Sequence, residues 1–384
     1  MELTKCKLGE LITQRREKND GSDLPICGVS KDGLIPPKQK DADTSIYNVF
    51  YRDDFIFNPA RMELNSIAIN DMYDRAICSS LYEVFYVHRT DLLLPHYLKL
   101  IIRQKWFTRY CEFLGQGSAR EYCRFGNISE IEIEFPPIKE QQKIVDYNTA
   151  IENRIALKQK INDNLVAVGT ASIQKNVGRG ALINLTEAEM DSLIFPEDFK
   201  IKTVSEFCAE TKSGSTPSRT NNEYWENGTI SWVKSGEVHN NITLQTEEYI
   251  TSLGLSESST KLLPKDTVLM AMYGVTAGEV GYLAIEATTN QAICGMICRS
   301  KAEAAYLYFS LIQSQAAISR LSNGGAQDNL SKNFIDNIKI VVPPSEFIEK
   351  LNLAAIVEQM TLNTKEITLL EELQATVLAQ LSSR

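Results

Sequence analysis

The stretch SNGGAQDNL (residues 322–330) is followed by a short apolar run, the pair Pro343-Pro344 and a long segment of helix-forming residues. The same order occurs earlier, where GQGSAREYC (residues 115–123) leads into Pro136-Pro137 and a second such segment. The second proline pair lies 207 residues after the first (343 − 136 = 207). Self-similarity of this kind indicates an internal repeat, so the chain is predicted to contain two copies of one unit.

Weaker matches extend the repeat towards the N-terminus of each copy. RAIC (residues 75–78) corresponds to QAIC (residues 291–294), and each is followed by an apolar strand and a helix. The loops between these elements differ in length and composition. A duplicated scaffold with divergent loops suits the presentation of two different recognition surfaces, whereas an enzyme needs only one active site.

Composition limits the class of protein. The chain has 384 residues, of which 43% are hydrophobic, so two cores of ordinary size are expected. No apolar run approaches the roughly 20 residues needed to cross a bilayer, and the N-terminus lacks a signal-peptide pattern, which predicts a cytoplasmic protein. Eight cysteines are scattered without a CxxC pair, so no metal site is predicted. Because the net charge is −9, any DNA binding must be local or shared with a partner.

The pattern of residues predicts a mixed α/β (α+β-like) fold. Residues 20–135 alternate short β-rich runs with turn residues, interrupted by one helix at about Pro95–Cys111. Residues 138–165 contain no Gly or Pro and are predicted to form a helix, about 42 Å long at roughly 1.5 Å per residue. One turn of B-DNA is about 34 to 36 Å, so a spacer of this length fits two readers on one face of a duplex.

The C-terminal helix carries a regular seam with steps of three and four residues. Two of its positions, Asn363 and Gln374, are polar. They either set the register of the helices or face solvent. The natural partner of this seam is the first long helix, packed antiparallel to it. The two copies of the repeat would then be related by a pseudo-twofold axis. The predicted seam residues are Ile144, Ile151, Ile155, Leu353, Ile356, Met360, Ile367, Leu370 and Val377.

These patterns divide the chain into five segments. They are a first domain at 1–137, a first spacer helix at 138–168, a linker at 169–200, a second domain at 201–344 and a second spacer helix at 345–384. Within the linker, where Gly169 and Gly178 break the periodicity, a short helix is expected near Thr186–Ser192, with Thr186 as its cap and Glu189 three residues on.

Several motifs in the second half carry a family resemblance. In order, they are KSGSTPS (212–218), YW (224–225), ISWVKSGEV (230–238), TNQA (289–292) and GGAQ (324–327), followed by the proline pair. Each is weak alone, but their order and spacing resemble the DNA-specificity subunits of type I restriction-modification systems over nearly the whole chain. The first half matches less well, with NPAR (58–61) and GSAR (117–120) but no Thr-Pro-Ser loop.

The resemblance implies two tandem target-recognition domains, separated by two long antiparallel coiled-coil helices. Each domain would read one half of a split, asymmetric site in double-stranded DNA. Two methyltransferase subunits would dock on the chain and transfer methyl groups from S-adenosylmethionine, and restriction subunits that use ATP and Mg can join them. The chain itself would be non-catalytic, without a cofactor, and would have no membrane partner.

Base reading requires donors and acceptors on rigid loops. Ser and Thr hydroxyls can meet a phosphate or a groove edge, Gly214 can allow close backbone approach, and Lys234 can contact a phosphate. Arg120 and Gln327 occupy one repeat position and suit guanine and adenine. The alternatives are a plain turn for the 213–218 loop and loop hydrogen bonding for Arg120 and Gln327. The candidate DNA-binding residues are Arg61, Ser118, Arg120, Ser213, Gly214, Ser215, Thr216, Ser218, Lys234, Ser235 and Gln327.

The sequence shows no recognisable catalytic motif. No Asn-Pro-Pro-Tyr or Asp-Pro-Pro-Tyr methyl-transfer motif and no P-loop are present. Two rival functions are a two-domain protein-interaction adaptor without sequence-specific DNA binding and a hydrolase with an unrecognised site. The acidic charge favours the adaptor slightly. The order of the motifs disfavours it, and the presence of only three histidines disfavours the hydrolase.

Overall fold

The computed structural model describes residues 3–31, 33–37, 44–115, 123–183, 185–239, 241–323 and 329–382. The chain divides into two compact units. Unit 1 is Met1–Arg154 with Leu370–Arg384, and unit 2 is Ile155–Leu369. Helices and strands are mixed in both units, which confirms the predicted α/β class. Each boundary falls inside a long helix.

Unit 1 is built from short strands and a few helices. Its strands are β1 (Thr4–Lys7), β2 (Ile12–Arg15), β3 (Ile26–Ser30), β4 (Gly33–Ile35), β5 (Asn48–Tyr51), β6 (Phe55–Phe57), β7 (Ile67–Ile69), β8 (Arg75–Cys78), β9 (Glu83–Val87) and β10 (Glu132–Phe135). Its helices are α1 (Pro95–Ile102), α2 (Lys105–Gly115), α3 (Phe125–Ser129) and the first part of α4 (Ile138–Asn176), with 3-10 turns at Leu8–Glu10 and Pro59–Leu64.

Two four-stranded sheets of unit 1, in the orders β2-β9-β6-β7 and β4-β3-β8-β5, enclose a shared core. Strand β6 is apolar at every position because it is covered on both faces. Phe55 and Phe57 point into the core beneath α1 and α2. Ile56 points the other way, into the core that the two sheets share. This alternation follows from the two-residue period of a strand.

Unit 2 follows the same plan of short strands and helices. Its strands are β11 (Ala181–Leu182), β12 (Lys200–Thr203), β13 (Glu210–Ser213), β14 (Ile230–Val233), β15 (Ile242–Thr243), β16 (Glu248–Ile250), β17 (Thr267–Ala271), β18 (Val280–Leu283), β19 (Thr288–Thr289), β20 (Ile293–Ile297) and β21 (Lys339–Val342). Its helices are α5 (Glu187–Asp191), α6 (Val204–Phe207), α7 (Ser252–Ser256), α8 (Lys301–Asn323), α9 (Lys332–Asp336), α10 (Ser345–Lys350) and the first part of α11 (Leu353–Ser382), with 3-10 turns at Asn222–Tyr224, Ser235–Glu237 and Gly274–Thr276.

The central sheet of unit 2 has the order β13-β20-β17-β18-β15. Strand β17 alternates as β6 does: Val268 and Met270 join the core that contains α8. Leu269 and Ala271 join a second core with residues of β14. Both units therefore place one sheet between a helical layer and a second sheet.

The clearest repeat is the cassette that precedes each long helical segment. In unit 1, α3 leads into β10, which pairs antiparallel with β1. In unit 2, α9 leads into β21, which pairs antiparallel with β12. The cassettes share one offset (332 − 125 = 207 and 339 − 132 = 207), the same as that of the proline pairs. The sequence repeat is therefore a structural repeat.

Three predicted helices have different limits in the structure. The helix predicted at Pro95–Cys111 is two helices, because Arg103 and Gln104 interrupt it and the Gln104 carbonyl accepts the first backbone hydrogen bonds of α2. The second spacer helix, predicted at 345–384, is broken between α10 and α11. There Asn352 adopts a left-handed conformation (φ 53°), which asparagine tolerates after a helix end.

The first spacer helix was predicted to end at 168, but α4 continues to Asn176. Gly169 does not break it; a Cβ there would lie 2.3 Å from the ring of Phe309, so the missing side chain serves close packing. The helix ends before Gly178, which has φ +83°. Residues predicted as linker form β11, which pairs with β21, and α5, which Thr186 caps by accepting from the Glu189 N–H.

The two long helices run antiparallel where they contact each other within each unit. In unit 2, the side chain of Asn363 is 1% exposed, donates to Asn162 Oδ1 (2.8 Å) and accepts from Lys158 Nζ (3.0 Å). In unit 1, Gln374 donates to Asn148 Oδ1 (3.0 Å). Both polar seam residues thus bond to the other helix and do not face solvent. Among the apolar seam residues, Leu353 and Met360 are buried, and Ile144, Ile151, Ile155, Ile356, Ile367, Leu370 and Val377 are partly buried.

Candidate nucleic-acid interface

A groove of about 900 Å³ lies in unit 1, between the end of β2, the β3–β4 hairpin and the turn at Pro59–Leu64. The charged residues that line it are Arg15, Arg16, Lys18, Arg61, Arg124 and Glu83. Five cations and one carboxylate make this a basic surface on a chain whose net charge is −9. Such a local excess of positive charge attracts a polyanion.

Arg15 is the anchored cation of this groove. Its Nε and Nη2 donate to the two carboxylate oxygens of Asp54, at 2.6 and 3.1 Å, and the Asp54 side chain is 2% exposed. The guanidinium also lies 4.7 Å from the ring centroid of Tyr51 and 4.6 Å from that of Tyr86. Arg15 therefore shapes the wall of the groove, while the other four cations are exposed.

Arg61 is the predicted site residue that the structure places in this groove. The turn that carries it begins at Asn58, whose side chain accepts from the Ala60 N–H (3.1 Å), and Met62 anchors it with 1% exposure. Cys123 donates its N–H to the Pro59 carbonyl (3.1 Å), so the chain that follows residues 116–122 returns beside the same turn. The candidates Ser118 and Arg120 lie outside the described residues.

In unit 2, one edge of the central sheet collects most of the predicted residues. Strand β13 ends there at Ser213, opposite Cys294 near the start of β20, and Ala271 of β17 lies opposite Ile293. The β17–β18 connection therefore emerges at this edge as well. Leu330 donates its N–H to the Met272 carbonyl (2.9 Å), which brings residues after 324–328 to the same place. Gln327 lies outside the described residues.

The 213–218 loop is tied to its neighbours through the groups that were expected to meet DNA. Gly214 was predicted to allow the approach of DNA, but a Cβ there would lie 2.2 Å from the Asn290 carbonyl oxygen, so the close approach is made by the protein's own backbone. The Ser215 hydroxyl lies 2.7 Å from that of Ser259, and the Thr216 hydroxyl donates to Gln291 Oε1 (2.5 Å).

Ser218 and Lys234 differ in how available they are. Ser218 is exposed, and its hydroxyl lies 2.9 Å from that of Thr220. The ammonium of Lys234 bonds to Glu247 and lies 3.4 Å from Glu248 Oε1. The hydrogen bond to Glu247 is the main cause that raises the pKa of Lys234. Together the two carboxylates balance the positive charge of Lys234. The predicted contact of Lys234 with a phosphate would therefore have to compete with these two carboxylates.

Ser235 begins a 3-10 turn, and its carbonyl accepts from the Thr276 hydroxyl (3.3 Å). This bond ties the turn to the β17–β18 connection, where Tyr273 is 40% and Val275 104% exposed. The side chain of Asn290 accepts a hydrogen bond from the Ala292 N–H (3.1 Å) and so binds the backbone of its own loop.

Sequence reasoning missed Arg219, which lies directly after the predicted loop. Its guanidinium packs on Trp225 and Trp232, and its side chain is 50% exposed. The sequence does place this arginine close to two tryptophans, Trp225 in the motif YW and Trp232 in the motif ISWVKSGEV, and that proximity could have identified it. Trp232 itself is 2% exposed and belongs to the interior.

The long helices also expose apolar side chains outside the seam. In unit 2, Leu362 and Leu369 of α11 are each 56% exposed and lie seven residues apart, two turns along one face. Leu157 and Val168 of α4 are 49% and 55% exposed. A contiguous apolar surface of this kind would mark a site of contact with another protein.

Within the described ranges, no helix is long and apolar enough to span a membrane, and no group of three or more His, Cys, Asp or Glu residues could hold a metal ion. The cysteines described are all free. Cys78 and Cys294, at matching positions of β8 and β20, are fully buried, and burial raises the pKa of the Cys294 thiol to about 12. Neither thiol is therefore a nucleophile at neutral pH.

Comparison with known proteins relates both halves to one family. The family described as type I restriction modification DNA specificity domain matches residues 6–167 and 196–375. The HindI specificity subunit of Haemophilus influenzae is 22% identical over 357 residues, covering 76% of this chain and 77% of that protein. The EcoR124I/EcoR124II specificity subunit of Escherichia coli is 26% identical over 200 residues, 51% of this chain and 46% of that protein.

A solved structure shares the fold. The S subunit of a type I restriction-modification system from M. genitalium aligns with a TM-score of 0.58 and 16% identity, covering 99% of this chain and 96% of that chain. The predicted fold class, with its tandem domains and long antiparallel helices, is thereby confirmed.

Proposed function

Because the chain belongs to the family of type I restriction-modification DNA specificity domains, we propose that it selects the DNA site of a multisubunit methyltransferase. In this proposal unit 1 and unit 2 each read one half of a split, asymmetric sequence. The chain itself performs no chemistry. S-adenosylmethionine is bound by two methyltransferase subunits, and ATP and Mg by restriction subunits where these join.

The observation that carries this proposal is the basic groove of unit 1. Five cations face one carboxylate in about 900 Å³, although the whole chain has a charge of −9. A charge excess confined to one groove supports local contact with the phosphate backbone and does not support bulk coating of nucleic acid. A protein-interaction adaptor has no need for such a groove.

The methyltransferase subunits are proposed to dock on the long helices. The exposed Leu362 and Leu369 supply apolar surface that a partner subunit would bury, and burial of apolar surface drives association. If the partner also supplies basic surface, the isolated chain should bind DNA weakly. Tight sequence-specific binding by the purified chain alone would contradict this part of the proposal.

The test is co-expression of this chain with the product of a neighbouring methyltransferase gene, purification of the complex and mapping of methylated bases in the host DNA. The expected result is a complex that methylates a split, asymmetric motif, one half of which changes when residues 201–343 are exchanged for those of another specificity subunit. Absence of a complex together with unaltered methylation would refute the proposal and favour the adaptor.

A further inference from the structure

We infer that Arg219 reads a guanine in the half-site that unit 2 addresses. This inference rests on the proposed function. Cζ of Arg219 lies 3.6 Å from the ring centroid of Trp225 and 4.8 Å from that of Trp232. The two indoles meet at 90° with their centroids 5.0 Å apart, so the guanidinium lies against two perpendicular aromatic walls. Such contacts hold a cation in one orientation.

The walls are themselves fixed to the 215–218 loop. Trp232 Nε1 donates to the Ser215 carbonyl (3.1 Å), and Trp225 Nε1 donates to the Ser218 carbonyl (3.0 Å). Trp232 belongs to β14, directly opposite Glu248 of β16. The residue that precedes Arg219 and the surface beneath it are therefore held by the same two tryptophans.

A carboxylate completes the arrangement. Glu248 accepts a hydrogen bond from Nη1 of Arg219 and lies 3.4 Å from the ammonium of Lys234. The hydrogen bond from Arg219 is the main cause that lowers the pKa of Glu248. The carboxylate thus stays ionised at neutral pH and fixes one nitrogen of the guanidinium.

The remaining nitrogens are left for a ligand. Nε and Nη2 of Arg219 have no hydrogen-bond partner among the residues that the structure describes, and half of the side chain is exposed. Two adjacent N–H donors in a rigid plane match the N7 and O6 acceptors of guanine in the major groove. An arginine that is already oriented loses less conformational entropy when it binds, which favours a specific contact over a loose phosphate contact.

The test uses the assembled complex with its methyltransferase, carrying R219K or R219A. Lysine keeps the charge but lacks the planar pair of donors, so it separates base reading from phosphate attraction. Binding is measured on duplexes in which each G·C pair of the recognised sequence is replaced in turn. At one G·C pair the unaltered complex should discriminate by about 5- to 150-fold. R219K should lose this discrimination, and methylation in the host should relax at the same position.

Two further variants control for indirect effects. K301A removes one exposed positive charge at the Ile297 end of β20, whereas the 213–219 loop lies at the Ile293 end, so specificity should not change. W225L keeps Arg219 but removes the ring beneath it, and should relax the same G·C pair partially. Equal thermal unfolding midpoints for R219K and the unaltered chain show that the fold is intact.

The outcomes separate this inference from the proposed function. If R219K weakens binding to all duplexes equally, Arg219 contacts phosphate and the inference is wrong. Unchanged discrimination at every G·C pair would overturn it too, as would a recognised half-site for unit 2 that contains no G·C pair. If the unaltered complex shows no sequence preference at all, the proposed function itself fails.

Discussion

Replacement of Arg61 by alanine should change how DNA binding responds to salt. Arg61 lines the basic groove of unit 1, is exposed, and has no side-chain partner among the residues described. The turn that holds it is fixed by the cap from Asn58 and by the buried Met62, neither of which R61A alters. We therefore expect the stability of the chain to change by no more than about 0.5 kcal/mol.

The magnitude of the salt effect follows from counterion release. Each phosphate contact contributes about 0.9 to the slope of log affinity against log salt concentration. If Arg61 makes one such contact, R61A should reduce the slope by about 0.9. Over a fourfold rise in salt, from about 50 to 200 mM, the variant should lose about 3.5-fold less affinity than the unaltered complex.

The assay is fluorescence anisotropy of a labelled duplex bound by the assembled complex at a series of salt concentrations. R89A is the matched control, because Arg89 is also an exposed arginine and is paired with Asp91. Strand β9 begins at Glu83 in the groove and ends at Val87, so Arg89 follows its far end. Its slope should equal that of the unaltered complex. If R61A and R89A give the same slope, Arg61 contacts no phosphate and the groove argument fails.

Three further predictions concern stability, measured by denaturant unfolding. G214A places a Cβ 2.2 Å from the Asn290 carbonyl, so it should destabilise the chain by about 1 to 3 kcal/mol, and an unchanged midpoint would contradict the close approach. N363A leaves Oδ1 of Asn162 without its donor at a cost of about 1 to 3 kcal/mol, and adding N162A should cost less than the sum of the two single changes; simple additivity would exclude the coupling. D54A leaves the anchored arginine of the groove uncompensated and should cost about 3 kcal/mol, whereas a loss below about 1 kcal/mol would show that the pair is not needed.

The parts of the fold that could be predicted from sequence are those fixed by local signals. The strand and proline pair before each long helix could be predicted, because proline is favoured at a helix start and the offset of 207 repeats; the short helices α3 and α9 were not predicted. The cap of α5 could also be predicted, since Thr186 and Glu189 have the spacing that a capping box requires. These features depend on residues within a few positions of each other.

Sequence patterns could not show where a residue serves a distant partner. Gly169 looked like a helix break, but its missing side chain makes room for Phe309, 140 residues later (309 − 169 = 140). Gly214 looked like an opening for DNA and instead admits the backbone at Asn290. Lys234 looked like a free cation until its two glutamates were known. No pattern in a single chain reports such pairings.

The two units offer DNA different electrostatic surfaces, and this difference explains how an acidic chain could bind it. In unit 1, Arg15 is paired with Asp54 and Arg124 with Glu83, which leaves Arg16, Lys18 and Arg61 as the excess positive charge of the groove. In unit 2 the cations Arg219 and Lys234 are balanced by Glu247 and Glu248. Attraction to phosphate should therefore come mainly from unit 1 and from the partner subunits. Unit 2 should contribute discrimination, because a neutralised, oriented guanidinium gains little from a phosphate at a distance but can still pair with one base edge.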